Sequence, residues 1–187
     1  MKLLPFVLTA AVLSLSACNQ QTETSVPAGA AASAEAPAQP QKLTSSDNKI
    51  TVNLQNGGFT DARSNAAVQP EGVTPEELTL LQRDEARNIT LYAANLGKAK
   101  TANAAEYFAK LKSTLETDKS FDNVQVGAAT ENRMNYRFTQ NNPDSDLLSE
   151  NCIAIFEAGN IYNVCASSDT ATQDELAAVL TEVTVAK

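Results

Sequence analysis

Apolar and polar residues alternate with a period of two in several short segments of the chain, a pattern typical of half-buried β-strands. Two pairs of these segments flank short stretches, the charged residues 83–87 and the dipeptide Ala158-Gly159, so each pair predicts a β-hairpin. The predicted strands cover residues 49–54, 78–82, 88–93, 122–130, 133–139, 152–157 and 160–166.

The residues before the first hairpin allow a second interpretation. Thr74-Pro75-Glu76-Glu77 fits the start of a helix, with proline at the first helical position and glutamate at the capping-box position. Because the hairpin pattern follows directly, we favour the hairpin, preceded by at most one helical turn.

Two other segments repeat their apolar residues at spacings of three and four, which predicts amphipathic helices. One covers residues 102–118 with Thr101 as N-cap, and the other opens with the capping box Thr172-Gln173-Asp174-Glu175. Strands grouped between two separated helices predict an α+β domain with helices packed on a largely antiparallel sheet. The predicted buried stripes are Ala104, Phe108, Leu111 and Leu115 in the first helix and Leu176, Val179, Leu180 and Val183 in the second.

The N-terminus has a different pattern, in which Lys2 precedes an apolar run at residues 3–13 that is too short to span a bilayer as a helix. One positive charge, a short apolar core and small residues before a cleavage position are typical of a secretory signal. The sequence Leu15-Ser16-Ala17-Cys18 resembles the bacterial lipobox. This resemblance implies cleavage after Ala17, diacylglycerol on the Cys18 sulfur and acylation of the new amine, with palmitate as the expected acyl group.

Residues 19–47 are mostly Ala, Ser, Thr, Gln and Pro and contain few large apolar side chains, so they do not offset the entropy of ordering. We therefore expect a signal peptide at residues 1–17, a lipidated cysteine with a disordered tether at 18–47, and one folded domain at 48–187. Asn19 lacks the acidic group that retains enteric lipoproteins at the inner membrane. This predicts an outer-membrane anchor with the domain in the periplasm, while the inner membrane and the cell surface stay open.

Composition excludes several kinds of chemistry, because the 187 residues contain no histidine and carry a formal charge of −8. Without histidine there is no His-based zinc site, Ser-His-Asp triad or Cys-His pair. The acidic balance argues against binding nucleic acid or an anionic membrane face. Contact with the membrane is therefore expected through the lipid on Cys18 alone.

After lipidation of Cys18, the chain keeps one pair of cysteines, Cys152 and Cys165, in the second predicted hairpin. If Ala158-Gly159 is a two-residue turn, the two face each other in a non-hydrogen-bonded pair with Cα atoms about 4.5 Å apart, which suits a disulfide. A turn with a bulge at Gly159 would instead point them to opposite faces. We predict the disulfide, since an oxidising envelope favours it and the spacing is unlike a redox Cys-x-x-Cys motif.

Three residue groups match chemical motifs only in part. Ser46-Asp47-Asn48-Lys49 contains S-x-x-K without the other elements of penicillin-recognising enzymes. Asp144, Asp146 and Glu150 lack EF-hand spacing and are expected in a solvated acidic loop, and Asp84-Glu85 is expected at an exposed hairpin tip. We therefore expect no catalytic residue, no metal and no cofactor.

With the lipobox and tether, the order of elements resembles the DcrB-type periplasmic lipoproteins, which share the PsbP-like α/β/α sandwich. The likeness covers most of residues 48–187, including the opening strand, the hairpin about Arg83-Asp84-Glu85, the helix from Ala102 and the hairpin through Gly159-Asn160. It implies a non-enzymatic envelope protein associated with phage sensitivity and envelope homeostasis. The Cys152/Cys165 pair is not a hallmark of that family.

The leading hypothesis is a tethered envelope lipoprotein that acts as a non-enzymatic partner-binding or accessory module. A protein partner would contact a sheet face or the loops at residues 57–72 and 140–149. Two alternatives stay open, a surface-exposed host-facing lipoprotein and a carboxylate-dependent periplasmic hydrolase, which needs a pocket with converging acids. The sequence leaves the partner's identity and the oligomeric state open.

Overall fold

The computed structural model describes residues 39–141 and 147–186. Strands dominate these ranges, with two α-helices and one short 3-10 turn. The elements are β1 (Gln41–Thr44), β2 (Ile50–Leu54), β3 (Thr60–Asp61), the 3-10 turn (Ala66–Val68), β4 (Leu78–Asp84), β5 (Ile89–Lys98), α1 (Ala104–Thr117), β6 (Phe121–Val126), β7 (Arg133–Gln140), β8 (Leu148–Glu157), β9 (Asn160–Ser168), α2 (Gln173–Val179) and β10 (Glu182–Val185).

The strands form two antiparallel sheets. The large sheet has seven strands in the order β3-β4-β5-β9-β8-β7-β6, and the small sheet has three in the order β1-β2-β10. Both predicted hairpins are present as the pairs β4–β5 and β8–β9. The predicted α+β class with a largely antiparallel sheet is therefore confirmed.

The two faces of the large sheet bury separate apolar cores, because successive side chains of a strand point to opposite faces. One core lies between the large sheet, the small sheet and α2, and the other lies under α1. One helix thus covers each face, as the predicted α/β/α arrangement requires. Central residues are Val52, Leu91, Ile155, Val164 and Leu176 in the first core, and Leu81, Phe108, Leu115, Met134 and Phe138 in the second.

Strand β1 corrects the predicted boundary between tether and domain, since residues 41–44 were expected to be part of the tether. They pair with β2, with Leu43 opposite Val52, and Leu43 is buried in the core of the small sheet. Ser45 is also buried, and its hydroxyl oxygen accepts a hydrogen bond from the Ile50 amide at 2.9 Å. The folded domain therefore begins before residue 48. The predicted signal peptide, Cys18 and tether residues 19–38 lie outside the described residues.

Helix α1 is capped by Asn103 and not by the predicted Thr101, because the Asn103 side chain accepts a hydrogen bond from the amide of Glu106. The second helix has the predicted capping box of Thr172 and Glu175. It ends at Val179, and Val183, expected on its buried stripe, lies in β10 instead. Within residues 39–141 and 147–186, no helix is long and apolar enough to cross a membrane.

Candidate functional site

The disulfide predicted in the second hairpin is present. Cys152 and Cys165 face each other in the β8–β9 pair with their Cα atoms 4.1 Å apart, and their sulfurs are bonded. Ala158 and Gly159 both have positive φ angles, 49° and 77°, which is typical of a two-residue type I′ turn. This turn produces the register without a bulge that places the two cysteines on the same face.

A buried polar cluster surrounds this disulfide on the α1 side of the large sheet. The Glu150 carboxyl accepts a hydrogen bond from the Tyr92 hydroxyl, and its Oε1 lies 3.4 Å from the Cys152 sulfur. Burial raises the pKa of Glu150 to about 7, although the Tyr92 hydrogen bond acts in the opposite direction. The expectation that Glu150 lies in a solvated loop is wrong, because the residue belongs to β8 and is only 8% exposed. Asp144 and Asp146 lie outside the described residues.

The buried cluster does not provide a metal site while the disulfide is intact. Ligand atoms of Glu150, Cys152 and Cys165 lie within 4.8 Å of one another. However, the two sulfurs are bonded to each other, so neither is a thiolate, the form in which cysteine binds metals. One carboxyl group is left, which by itself is not a metal centre.

The tip of the first hairpin also differs from its prediction. Asp84 is buried, not exposed, and its carboxylate accepts hydrogen bonds from the Arg87 backbone at 3.0 Å and side chain at 2.7 Å. Gly58 packs against it, because a Cβ built at Gly58 would lie 2.9 Å from the Asp84 Oδ2. Asp84 is therefore a structural anchor that joins the bend at Gly57-Gly58 to the hairpin.

A groove of about 650 Å³ lies on the face of the large sheet opposite the buried cluster. Helix α2 has only seven residues and packs mainly against β8 and β9, so it leaves β6 and the part of β7 beside the groove uncovered. The end of α2 and the two residues after it form one wall through Ala177, Leu180 and Thr181, and Gln125 of β6 lies in the opposite wall. The groove thus results from a helix that is shorter than the sheet is wide.

The floor of the groove carries two arginines among polar and apolar side chains. Because side chains alternate along a strand, Arg133, Asn135 and Arg137 of β7 share this face, while Met134, Tyr136 and Phe138 are buried on the α1 side. Asn151 and Ile153 of β8 continue the floor. In the part of the chain that the structure describes, no aspartate or glutamate lines the groove. The set of converging acids that a carboxylate-dependent hydrolase needs is therefore missing from it.

The Arg137 guanidinium is held in place by a neutral side chain. The Gln125 Oε1 accepts hydrogen bonds from the Arg137 Nε at 3.0 Å and Nη2 at 2.6 Å. Asp174 Oδ1 lies 3.9 Å from Nη1, and its side chain is 98% exposed. Among the described residues, no carboxylate lies within 4 Å of the Arg133 side chain. The Arg137 guanidinium is therefore oriented by the protein, and both guanidinium groups are little neutralised by it.

Sequence reasoning missed this groove, although one signal for it exists. The alternation in β7 separates Asn135 and Arg137 from the apolar residues, but a polar face on a strand is normally read as a solvent-covered surface. What turns it into a groove is the length of α2 and the edge position of β6, and both are tertiary properties.

Comparisons with known proteins show structural similarity and no match at the sequence level. No family model and no curated protein sequence matches the chain. The solution structure of cyanobacterial PsbP (CyanoP) from Synechocystis sp. PCC 6803 is similar at 11% sequence identity and a TM-score of 0.47, covering 86% of this chain and 100% of that chain. The α+β class stands on the two antiparallel sheets and the helices themselves, and the neighbour assigns no function.

Proposed function

We propose that this chain is a lipid-anchored protein of the bacterial envelope whose domain acts as a non-enzymatic binding module, with the groove beside α2 as the contact surface for a protein partner. The observation that supports this proposal is the groove itself, an open concavity with a mixed polar and apolar lining that presents two arginines, of which Arg137 is oriented by Gln125. Amide, guanidinium and apolar side chains line it, which suits recognition.

The chemistry of the groove supports binding over catalysis. General acid–base catalysis needs a group that titrates near the working pH within hydrogen-bond reach of the substrate. In residues 39–141 and 147–186, burial raises the pKa of one carboxyl group, that of Glu150, to such a value, about 7. Its side chain lies on the opposite face of β8 from Asn151, buried beside the disulfide and away from the groove. It therefore does not reach a ligand bound there.

The proposed anchor rests on the N-terminal sequence. The resemblance of Leu15-Ser16-Ala17-Cys18 to the lipobox supports lipid on Cys18, and the DcrB-type pattern supports an accessory role in the envelope. Asn19 supports the outer membrane, with the domain in the periplasm. Since β1 starts at Gln41, 22 residues separate it from Cys18, a reach of roughly 70 Å when fully extended. A partner within that distance of the membrane is accessible to the groove.

Crosslinking in living cells tests the contact surface. A photo-crosslinking amino acid placed at Asn135, in the groove, should capture a defined envelope protein after illumination. The same amino acid at Lys112, which is 53% exposed on α1 at the other face of the sheet, is the matched control and should not. Identical products from both positions, or lipid alone at residue 135, would contradict the proposal.

Metabolic labelling tests the anchor separately. Cells given radioactive palmitate should label the wild-type protein, and the Cys18→Ser variant should carry no label. A wild-type product that is unlabelled and partitions into buffer would refute the lipid anchor, whatever the crosslinking shows.

A further inference from the structure

We propose that the groove binds an acidic, extended segment of a protein partner, whose carboxylates pair with Arg133 and Arg137; this inference rests on the proposed function of the groove. Its basis is the spacing and the charge of the side chains on the groove floor.

The spacing selects an extended ligand. Arg133 and Arg137 lie four residues apart on the same face of β7, which places their Cα atoms about 13 Å apart with Asn135 midway. When both side chains stand perpendicular to the sheet, as is usual in strands, their guanidinium groups are too far apart for a single small anion to contact both. An extended peptide projects alternate side chains at the same period of about 6.6 Å. Acidic side chains at positions i and i+4 of such a peptide match the two arginines, and the residue at i+2 faces Asn135.

The charge selects an acidic ligand. Gln125 holds the Arg137 guanidinium through two N–H groups and leaves further N–H groups free for a carboxylate, which arginine binds well in a two-point geometry. Asp174, at 3.9 Å and almost fully exposed, is a weak competitor because solvent screens the pair. The formal charge of the whole chain is −8, so this cationic face is a local exception.

The groove's position in the sheet supports an extended partner as well. Strand β6 is at the edge of the large sheet, next to the groove. An edge strand leaves backbone N–H and C=O groups unpaired on its outer side, and peptides bind other proteins by adding a strand there. A segment lying parallel to β7 across the groove runs alongside this edge. Backbone pairing and arginine–carboxylate pairing therefore favour the same ligand conformation.

A titration with designed peptides tests the inference. The probe is a blocked hexapeptide of alternating Glu and Thr, compared with the matched peptide of alternating Gln and Thr. Amide NMR spectra of the folded protein should show saturable shifts with the acidic peptide, concentrated at residues 125–137, 151–153 and 177–181. The neutral peptide should produce no saturable change. Raising the salt concentration should weaken binding, because carboxylate–guanidinium attraction is screened.

Charge-matched variants identify the residues responsible. The double variant Arg133→Gln/Arg137→Gln should bind the acidic peptide about tenfold more weakly or worse. The control Lys110→Gln/Lys112→Gln removes the same charge from α1, where these side chains are 66% and 53% exposed, and should change affinity less than about twofold.

Three outcomes would overturn the inference. They are equal binding of both peptides, equal losses in the two double variants, and inorganic phosphate that causes the same shifts at the same affinity as the acidic peptide. If residue 135 still crosslinks to a protein in cells while the acidic peptide fails to bind, the proposed function stands and the acidic-segment inference is wrong.

Discussion

Glu150 makes the stability of this domain depend on pH in the direction opposite to that of most carboxyl groups. Burial raises the pKa of its carboxyl from the ordinary 4.5 to about 7 in the folded protein. Between these two pH values the folded state binds a proton that the unfolded state has released. The stabilising contribution is therefore complete below pH 4.5, falls as the pH rises to about 7, and is absent above it.

The size of this effect follows from the two pKa values. One pH unit of difference corresponds to 1.36 kcal/mol, so the difference between 4.5 and about 7 corresponds to about 3 kcal/mol for Glu150. The Glu150→Gln variant is neutral at every pH and can still accept the Tyr92 hydrogen bond through its amide oxygen. Its amide N–H groups lack a partner, which costs about 1 kcal/mol or more at all pH values. Only the pH-dependent part of the stability difference reports the titration of Glu150.

The measurement is thermal unfolding of the wild type and Glu150→Gln between pH 4 and 9, at constant ionic strength and with the disulfide intact. At pH 4 the variant should be less stable than the wild type by the cost of its unpartnered amide N–H groups, about 1 kcal/mol or more. At pH 9 its relative stability should have risen by about 3 kcal/mol, which corresponds to roughly 6–12 °C in the unfolding temperature. Glu106→Gln is the control, because this glutamate is exposed on α1 and its pKa is lowered by Lys110.

A stability difference between wild type and Glu150→Gln that stays constant from pH 4 to 9 would refute this reasoning. It would mean that Glu150 keeps the same charge in the folded and the unfolded states. A rise of similar size in Glu106→Gln would also refute it, since that result would attribute the effect to net charge and not to burial.

Three further predictions concern stability and can be checked by urea unfolding. Replacing Cys152 and Cys165 by alanine should destabilise the domain by about 3 kcal/mol, because the disulfide joins residues 13 apart in sequence; no change would show that the cross-link is dispensable. Ala158→Gly should stabilise the domain by about 0.5–1 kcal/mol, since Ala158 has a φ of 49°. Gly58→Ala should destabilise it by more than about 1 kcal/mol, because φ is 118° and the new Cβ would lie 2.9 Å from Asp84. Unchanged midpoints would contradict the last two.

The sequence predicts the larger strands and both helices well, because their signals are local. Residues 133–139 alternate so regularly that β7 and its two faces follow from the sequence alone. For Cys152 and Cys165 the sequence allows two hairpin registers, and the structure has the one in which the two cysteines face each other. The elements that were missed carry weak local signals. Strand β1 has only one large apolar residue, Leu43, in four positions. It becomes a strand because its backbone pairs with the edge of β2.

The candidate site could be predicted only in part, because its parts are separated in the chain. Arg137 and Gln125 are joined by a register between β6 and β7 that contains an irregularity, which no local pattern indicates. Glu150 looks like part of an acidic loop in the sequence, and its burial depends on strands that cover it from both sides. Val183 fits the helical spacing of α2, but its pairing with Val52 of β2 places it in a strand despite this local helical pattern.

The small sheet determines how mechanical load enters the domain. Strands β1 and β10 both pair with β2, so the first and last strands of the described chain flank the same central strand. A pull on the residues that precede Gln41 therefore acts first on the hydrogen bond from the Gly57 amide to the Gln39 carbonyl and on the four residue pairs that join β1 to β2. This short ladder is expected to open before the large sheet, which holds the disulfide and the groove.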